Sequence, residues 1–258
     1  MVKLIKDITK GAVQSAYVCA PFDEAKAHLE KYGYELITPE QFAQARIAQG
    51  ASNSVSVNGA YTSMGDVMIP KKGRFLTKLS LVMERPVEAT EAHRNGNEFY
   101  VSNEDVERVL ASGNVFVPYN QSGIPFNKFA EDPITSFVFG KTAEKYGLFL
   151  KEALKETGII AMPLRLEDKG YIDSKENPFA NQAWLRRLVG DCRSVLNGNG
   201  RVLHCNYAVR GVRHVEPRSG ETVSRIHTPN LREILRYSRR FVPEVARKEF
   251  EKGLGDFF

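Results

Sequence analysis

Apolar residues recur along the chain with two different spacings. Residues 12–19, Ala-Val-Gln-Ser-Ala-Tyr-Val-Cys, predict a strand. Pro21 then opens a stretch in which Phe22, Ala25, Leu29 and Tyr32 recur every three or four residues, the stripe of an amphipathic helix stopped by Gly33. Tyr34–Ile37 predicts a short strand. Thr38, Pro39 and Gln41 form the start signature of the next helix. A threonine hydroxyl can accept from the third helical N–H, the glutamine can return the bond, and proline has no N–H to leave unsatisfied. That helix is predicted to run to Gln49.

The pattern then alternates. Ser54-Val-Ser-Val57 and Ala60-Tyr-Thr-Ser63 flank Asn58-Gly59, which predicts a hairpin because both central residues tolerate positive φ. A second hairpin is predicted from Val67–Ile69, a Lys71-Lys72-Gly73 turn, and Arg74 to Met83. Phe99–Val101 predicts a strand. Ser102 to Asp105 opens a helix carrying Val106, Val109 and Leu110 and ended by Gly113. Val115–Val117 is again strand-like, and 118–133 is a loop rich in Gly, Pro and Asn.

The clearest helix is 141–157, with Ala143, Tyr146, Leu150, Ala153 and Leu154 on one side. Residues 159–166 predict an edge strand bent at Pro163. Asn177-Pro178 starts a helix with Phe179, Ala183, Trp184, Leu188, Cys192 and Val195 on its apolar side. Asn197 to Gly200 turns into a strand over 201–209, paired with 211–215 or 222–227. Thr228-Pro229 opens a helix to Arg240, and Pro243 restarts the helical pattern to Gly253. Strands and helices mix without a βαβ rhythm. This predicts an α+β fold with a mainly antiparallel sheet packed by several helices. It forms one compact body or two intimate subdomains, 1–125 and an Arg-rich 126–258.

Composition narrows the class. With 42% hydrophobic and 26% charged residues, the 258-residue chain has what a folded core needs, and three cysteines exclude a disulfide scaffold. No apolar run reaches a membrane span. The N-terminus has no secretory apolar core, so the expected compartment is the cytoplasm and no membrane partner is expected.

Charge changes the picture more. Residues 1–180 carry 21 Lys+Arg and 23 Asp+Glu, whereas residues 181–258 carry 15 and eight, and 13 of 19 arginines follow residue 180. Guanidinium is the group that matches phosphate oxygens with a planar fork. Arg186 and Arg187 lie on the predicted Trp184 helix, and Arg210, Arg213 and Arg225 on strands and turns. Arg232, Arg236, Arg239 and Arg240 recur at helical spacing beside Tyr237. These residues predict a nucleic-acid-binding surface that holds the phosphate backbone, with shape rather than base readout. Two alternatives stand beside it. One is an assembly subunit that docks on a protein partner or a further copy of itself through Ser122 to Phe129 or the terminal Phe257-Phe258. The other is an enzyme on a phosphorylated or nucleotide substrate.

No catalytic motif and no cofactor are assigned. Gly140-Lys141-Thr142 resembles the end of a phosphate loop, but the preceding Ser136-Phe-Val-Phe139 is an apolar, strand-like run that cannot wrap a phosphate. Asp66, Lys71, Lys72 and Glu84 echo a nuclease site without its second-strand lysine. His204, Cys205, His214 and His227 match no zinc spacing. Cys19 precedes a helix N-terminus, where a dipole would lower its pKa.

Overall fold

A computed structural model describes residues 2–6, 13–70, 72–117, 124–153, 159–160, 181–189, 195–197, 203–205 and 207–214. The chain divides into a compact unit, Met1–Val215, and a second unit, Glu216–Phe258. The second unit lies outside the described residues, as do the helices predicted at 228–240 and 243–253.

The architecture is α+β, with a mixed, mainly antiparallel sheet. Strand β1 (Leu4–Lys6) pairs antiparallel with β2 (Val13–Cys19). Helix α1 (Phe22–Lys31) buries Phe22, Ala25 and Leu29, three of the four stripe positions; Tyr32 falls at the C-cap and stays 46% exposed. Strand β3 (Glu35–Leu36) follows. Helix α2 (Pro39–Gln49) starts on the predicted capping box, Thr38 Oγ1 accepting from Gln41 N at 3.1 Å and Gln41 Oε1 accepting from Thr38 N at 2.9 Å.

The first predicted hairpin is absent. Ser54–Val57 is a one-turn helix, α3, capped by Asn53, whose Oδ1 accepts from Val55 N at 3.2 Å. Asn58 keeps an extended backbone at φ −95°, so the turn that needs positive φ does not form. The second hairpin is present as β4 (Ala60–Ile69) and β5 (Gly73–Thr77). Its second arm is shorter than predicted, because Ser80 caps a short helix, α4 (Leu81–Glu84). Helix α5 (Pro86–Arg94) begins on a proline that the pattern did not single out. Strand β6 (Tyr100–Val101), helix α6 (Asn103–Ala111) with its Ser102 cap, and β7 (Asn114–Val117) follow as expected.

The predicted loop over 118–133 holds structure: β8 (Ile124–Pro125) and α7 (Phe126–Phe129). The apolar run read as strand-like is part of helix α8 (Pro133–Phe139), which Asp132 caps by accepting from Ile134 N at 2.8 Å. A 3-10 turn, Gly140–Thr142, leads into α9 (Ala143–Ala153), where Ala143, Tyr146 and Leu150 are buried as the stripe predicts. Strand β9 (Ile159–Ile160) pairs with β8.

The largest correction concerns residues 181–189. They form a strand, β10 (Asn181–Val189), and not a helix. β10 pairs antiparallel with β4, β6 and β11 (Val195–Asn197). Ala183, Trp184 and Leu188 can be laid on a helical stripe, but the ladders to β4 and β11, which no local pattern records, fix these residues as a strand. The strand predicted at 201–209 also shifts. Leu203–Cys205 is a turn, and β12 (Ala208–His214) pairs with β2 and β3, and through Val209 with Tyr61 of β4. Residues 211–214 belong to that same strand and so are not its partner, and 222–227 lie outside the described residues.

Strands β10 and β12 interleave with strands from the first half of the chain, in the order β1-β2-β12-β4-β10-β11, so the sheet runs across the division expected at residue 125. The sheet separates two apolar cores. One gathers Phe42, Leu76, Val117, Phe129, Phe139 and Tyr146 with α2, α8 and α9. The other gathers Val18, Phe22, Leu29, Tyr61, Val106 and Val209 with α1, α4 and α6. Each fully buried Leu or Phe contributes about 1.5–3 kcal/mol.

Candidate functional site

Strand β12 is where the structure tests the arginine series most directly. Arg210 stands opposite Tyr17 of β2 and is fully buried. Its guanidinium lies 5.1 Å from the Tyr17 ring centroid and 5.4 Å from that of Phe42. Burial pushes its pKa down to about 10. The residue expected on a phosphate-binding surface is thus a core cation held between two rings, inaccessible to an external phosphate.

Three residues on, Arg213 is half-buried. Its Nε and Nη2 donate to Gln14 Oε1 at 3.1 and 2.8 Å, and Nη1 donates to the Tyr32 carbonyl at 3.4 Å, at the end of α1. The Tyr34 ring lies beneath it at 4.8 Å. Arg213 therefore ties β12 to β2 and to the C-terminal end of α1, where a cation complements the helix dipole. Arg186 and Arg187 occupy consecutive positions of β10, Arg187 in register with Tyr61 and Asn197. Arg225, Arg232, Arg236, Tyr237, Arg239 and Arg240 lie outside the described residues. The structure thus brings Arg210 and Arg213 to one strand, but for different tasks.

The segment entering β12 is tied to the start of α1 through Leu203. Leu203 is buried and its carbonyl accepts from Phe22 N at 2.7 Å, while Tyr207 N donates to Cys205 O at 2.8 Å. His204 is exposed and Cys205 half-buried. His214 closes β12, and His227 lies outside the described residues. Among the described residues no three His, Cys, Asp or Glu side chains gather as a metal site.

The other sequence candidates resolve into structural roles. Asp66 is buried with Arg74, whose Nε stands 3.4 Å from Asp66 Oδ2. Glu84 instead accepts two bonds from Arg108, at 2.8 and 2.7 Å, on an exposed network with Asp105 and Arg85. Buried and exposed networks with different partners do not make a carboxylate pair. Cys19 is exposed, and partial burial raises its thiol pKa, opposite to the lowering expected from a helix dipole. At Gly140-Lys141-Thr142 the Thr142 hydroxyl donates to Glu40 Oε1 at 3.1 Å and accepts from Gln44 Nε2 at 3.0 Å. A Cβ on Gly140 would meet that same Glu40 carboxylate at 2.7 Å. The chain's own carboxylate thus occupies the approach to this turn.

In the segment offered as a docking loop, Ile124 and Phe129 are core residues and Thr135 Oγ1 donates to the Phe129 carbonyl. Phe257 and Phe258 lie outside the described residues. Sequence reasoning missed the buried cations. Arg46 is fully buried, donates to Tyr146 Oη and to the Ser56 carbonyl at 3.0 Å, and lies 5.6 Å from the Tyr146 ring centroid. Its position between Ala43 and Ile47 on an otherwise apolar stripe is the signal that could have marked it.

No protein-family model matches the sequence, and no curated protein matches it. Among solved structures, one match covers 81% of this chain and 100% of the other, with a TM-score of 0.55 and 16% identity; it is described as "Accommodation of massive sequence variation in Nanoarchaeota by the C-type lectin fold". The class defined by this likeness is one of architecture: the chain is similar in fold to a C-type lectin-fold protein.

Proposed function

We propose that this protein is a binding module rather than an enzyme, built on a C-type lectin-type scaffold, and that its partner is a nucleic acid held through the phosphate backbone by the Arg-rich segment after residue 180. The observation that carries the module half is the fold likeness over the whole of the neighbouring chain. That neighbour accommodates massive sequence variation on its fold. A scaffold of this kind suits recognition, because buried anchors such as Arg210 and the Asp66–Arg74 pair on the strands, and Arg46 among the helices, can hold the fold while exposed positions change. The partner half rests on the concentration of 13 of 19 arginines after residue 180. Arg210 is excluded from the contact set by its burial, so the weight falls on Arg232, Arg236, Arg239 and Arg240.

A salt titration of binding to labelled duplex and single-stranded oligonucleotides tests this. Each phosphate contact adds close to one unit to the slope of log K against log salt. The triple change Arg232→Ala, Arg236→Ala, Arg239→Ala is expected to weaken binding and flatten the slope by about three. A slope unchanged by the triple variant, or no affinity in the intact protein at low salt, rejects the nucleic-acid half.

A further inference from the structure

The β5–β7 edge of the sheet combines aromatic and basic side chains. Phe75 and Phe116 are register partners, their ring centroids 5.4 Å apart and the planes tilted by 56°. Phe116 is 45% exposed although it sits on a strand, and Leu79 beyond the end of β5 is 42% exposed. Gly73 keeps the Phe116 ring where it is: its φ is +120°, and a Cβ there would meet the ring at 2.6 Å. Lys72 and Lys78 bracket β5 and are exposed, and the Lys78 ammonium lies 5.6 Å from the Phe137 ring centroid.

Strands β5 and β7 carry no carboxylate of their own; the acidic groups nearby stand on helix α6 and at Glu131 and Asp132 before α8. From Val67 to Met83 and from Arg108 to Ala130 the sequence contains neither Asp nor Glu. Helix α8, which lies against β7, has none either. Helix α6, packed against β5 and β7, brings Glu104, Asp105 and Glu107, of which Asp105 is committed to Arg85 and Arg108. Of the cations on these stretches, Arg74 is committed to Asp66 and Arg108 to Glu84. An exposed Phe116 ring against a half-buried Phe75, with lysines at both ends of β5 and no carboxylate on either strand, complements a ligand that alternates flat apolar faces with negative charge. Single-stranded nucleic acid has that repeat, one base and one phosphate per nucleotide. An acidic peptide would satisfy the lysines and leave the rings in water.

We infer that the β5–β7 edge is a contact surface for single-stranded nucleic acid, with Phe116 and Phe75 stacking on bases and Lys72 and Lys78 holding phosphates. This inference does not depend on Arg232, Arg236, Arg239 or Arg240.

The test is fluorescence anisotropy of the full chain with labelled oligo-dT and oligo-U of about 15 nucleotides, the span of a typical single-strand site. Phe116→Leu keeps an apolar side chain and removes the ring; it is expected to weaken binding about tenfold, and Phe116→Trp to restore it. Lys72→Gln with Lys78→Gln is expected to flatten the salt slope by about one to two. Circular dichroism and a melting curve confirm that each variant is folded, and Phe116→Tyr serves as the second aromatic replacement should Trp not fit. The inference is overturned if Phe116→Leu and the lysine pair bind as the wild type does, if the intact chain does not bind single strands, or if polyglutamate competes as well as oligo-dT. Loss confined to the Arg232, Arg236, Arg239 triple variant overturns this surface and leaves the proposed function standing. Loss confined to Phe116→Leu and the lysine pair does the reverse.

Discussion

Arg74 Nε lies 3.4 Å from Asp66 Oδ2 across the β4–β5 hairpin, and both side chains are 1% exposed. They are not direct register partners, since Asp66 faces Leu76 and Arg74 faces Met68, so the pair crosses the hairpin diagonally. Charges removed from water to this extent hold a conformation chiefly because either one alone is costly.

Arg74→Met is therefore expected to destabilise the fold by about 3–5 kcal/mol, since it removes the cation beside the buried Asp66 carboxylate. Adding Asp66→Asn should recover a large part of that loss. Urea denaturation of the two single variants and the double variant measures the coupling. Losses that add without coupling would remove the pair from the account of this hairpin.

Both helix starts at residues 21 and 38, the hairpin at Gly73 and the stripe of α9 were legible because each is a local matter. Thr38 needs only Gln41, and Gly73 needs only its own backbone. What failed was set by distant partners. Residues 181–189 are a strand because β4 and β11 supply hydrogen bonds on both sides, and no local pattern records that. Ser54–Val57 alternated like a strand, yet Asn53 caps it as a turn of helix. The arginine series was legible as composition only. That Arg210 sits between Tyr17 and Phe42 follows from the β2–β12 register, which joins residues nearly two hundred positions apart.

Arg210 supplies a second prediction. Its guanidinium is desolvated, and its contacts to Tyr17 and Phe42 depend on a flat cation. Arg210→Lys is expected to be more destabilising than Arg210→Met, because lysine keeps the buried charge and loses the planar stacking. Neither change should alter the salt slope of nucleic-acid binding. Thermal melts and the anisotropy titration measure the two effects separately. A slope that falls on replacing Arg210 would place that side chain in the ligand contact.

Gly65 supplies a third. A Cβ there would lie 2.5 Å from the Leu79 carbonyl oxygen and 2.6 Å from Thr77 Oγ1, which itself donates to that carbonyl at 2.7 Å. The chain between β5 and α4 folds back over the glycine, and a backbone carbonyl cannot give way as a side-chain end can. Gly65→Ala is expected to cost about 1–3 kcal/mol through overpacking. A midpoint shift in urea with an unchanged slope would confirm that stability alone has changed. A neutral result would mean the Leu79 carbonyl can move.

The Glu84–Arg108 pair makes the last prediction, in pH. Two hydrogen bonds from Arg108, aided by its charge and that of Arg85, outweigh partial desolvation and the nearby Asp105, and hold the Glu84 carboxyl below its ordinary range. Asp105 is lowered as well: burial works against it, and bonds from Arg108 and Arg85 prevail. A carboxylate depressed in the folded state binds fewer protons there than in the unfolded chain. Its contribution is therefore complete above the unfolded value near 4.3 and is lost as pH falls through the folded value. Wild type should melt above Glu84→Gln at pH 7, with the gap closing below pH 4. Because the pair is exposed, the gap should also shrink in high salt. A protonated carboxyl and a glutamine amide present Arg108 with nearly the same shape and no charge, so a gap that persists unchanged into acid would remove the Glu84–Arg108 ion pair as its cause.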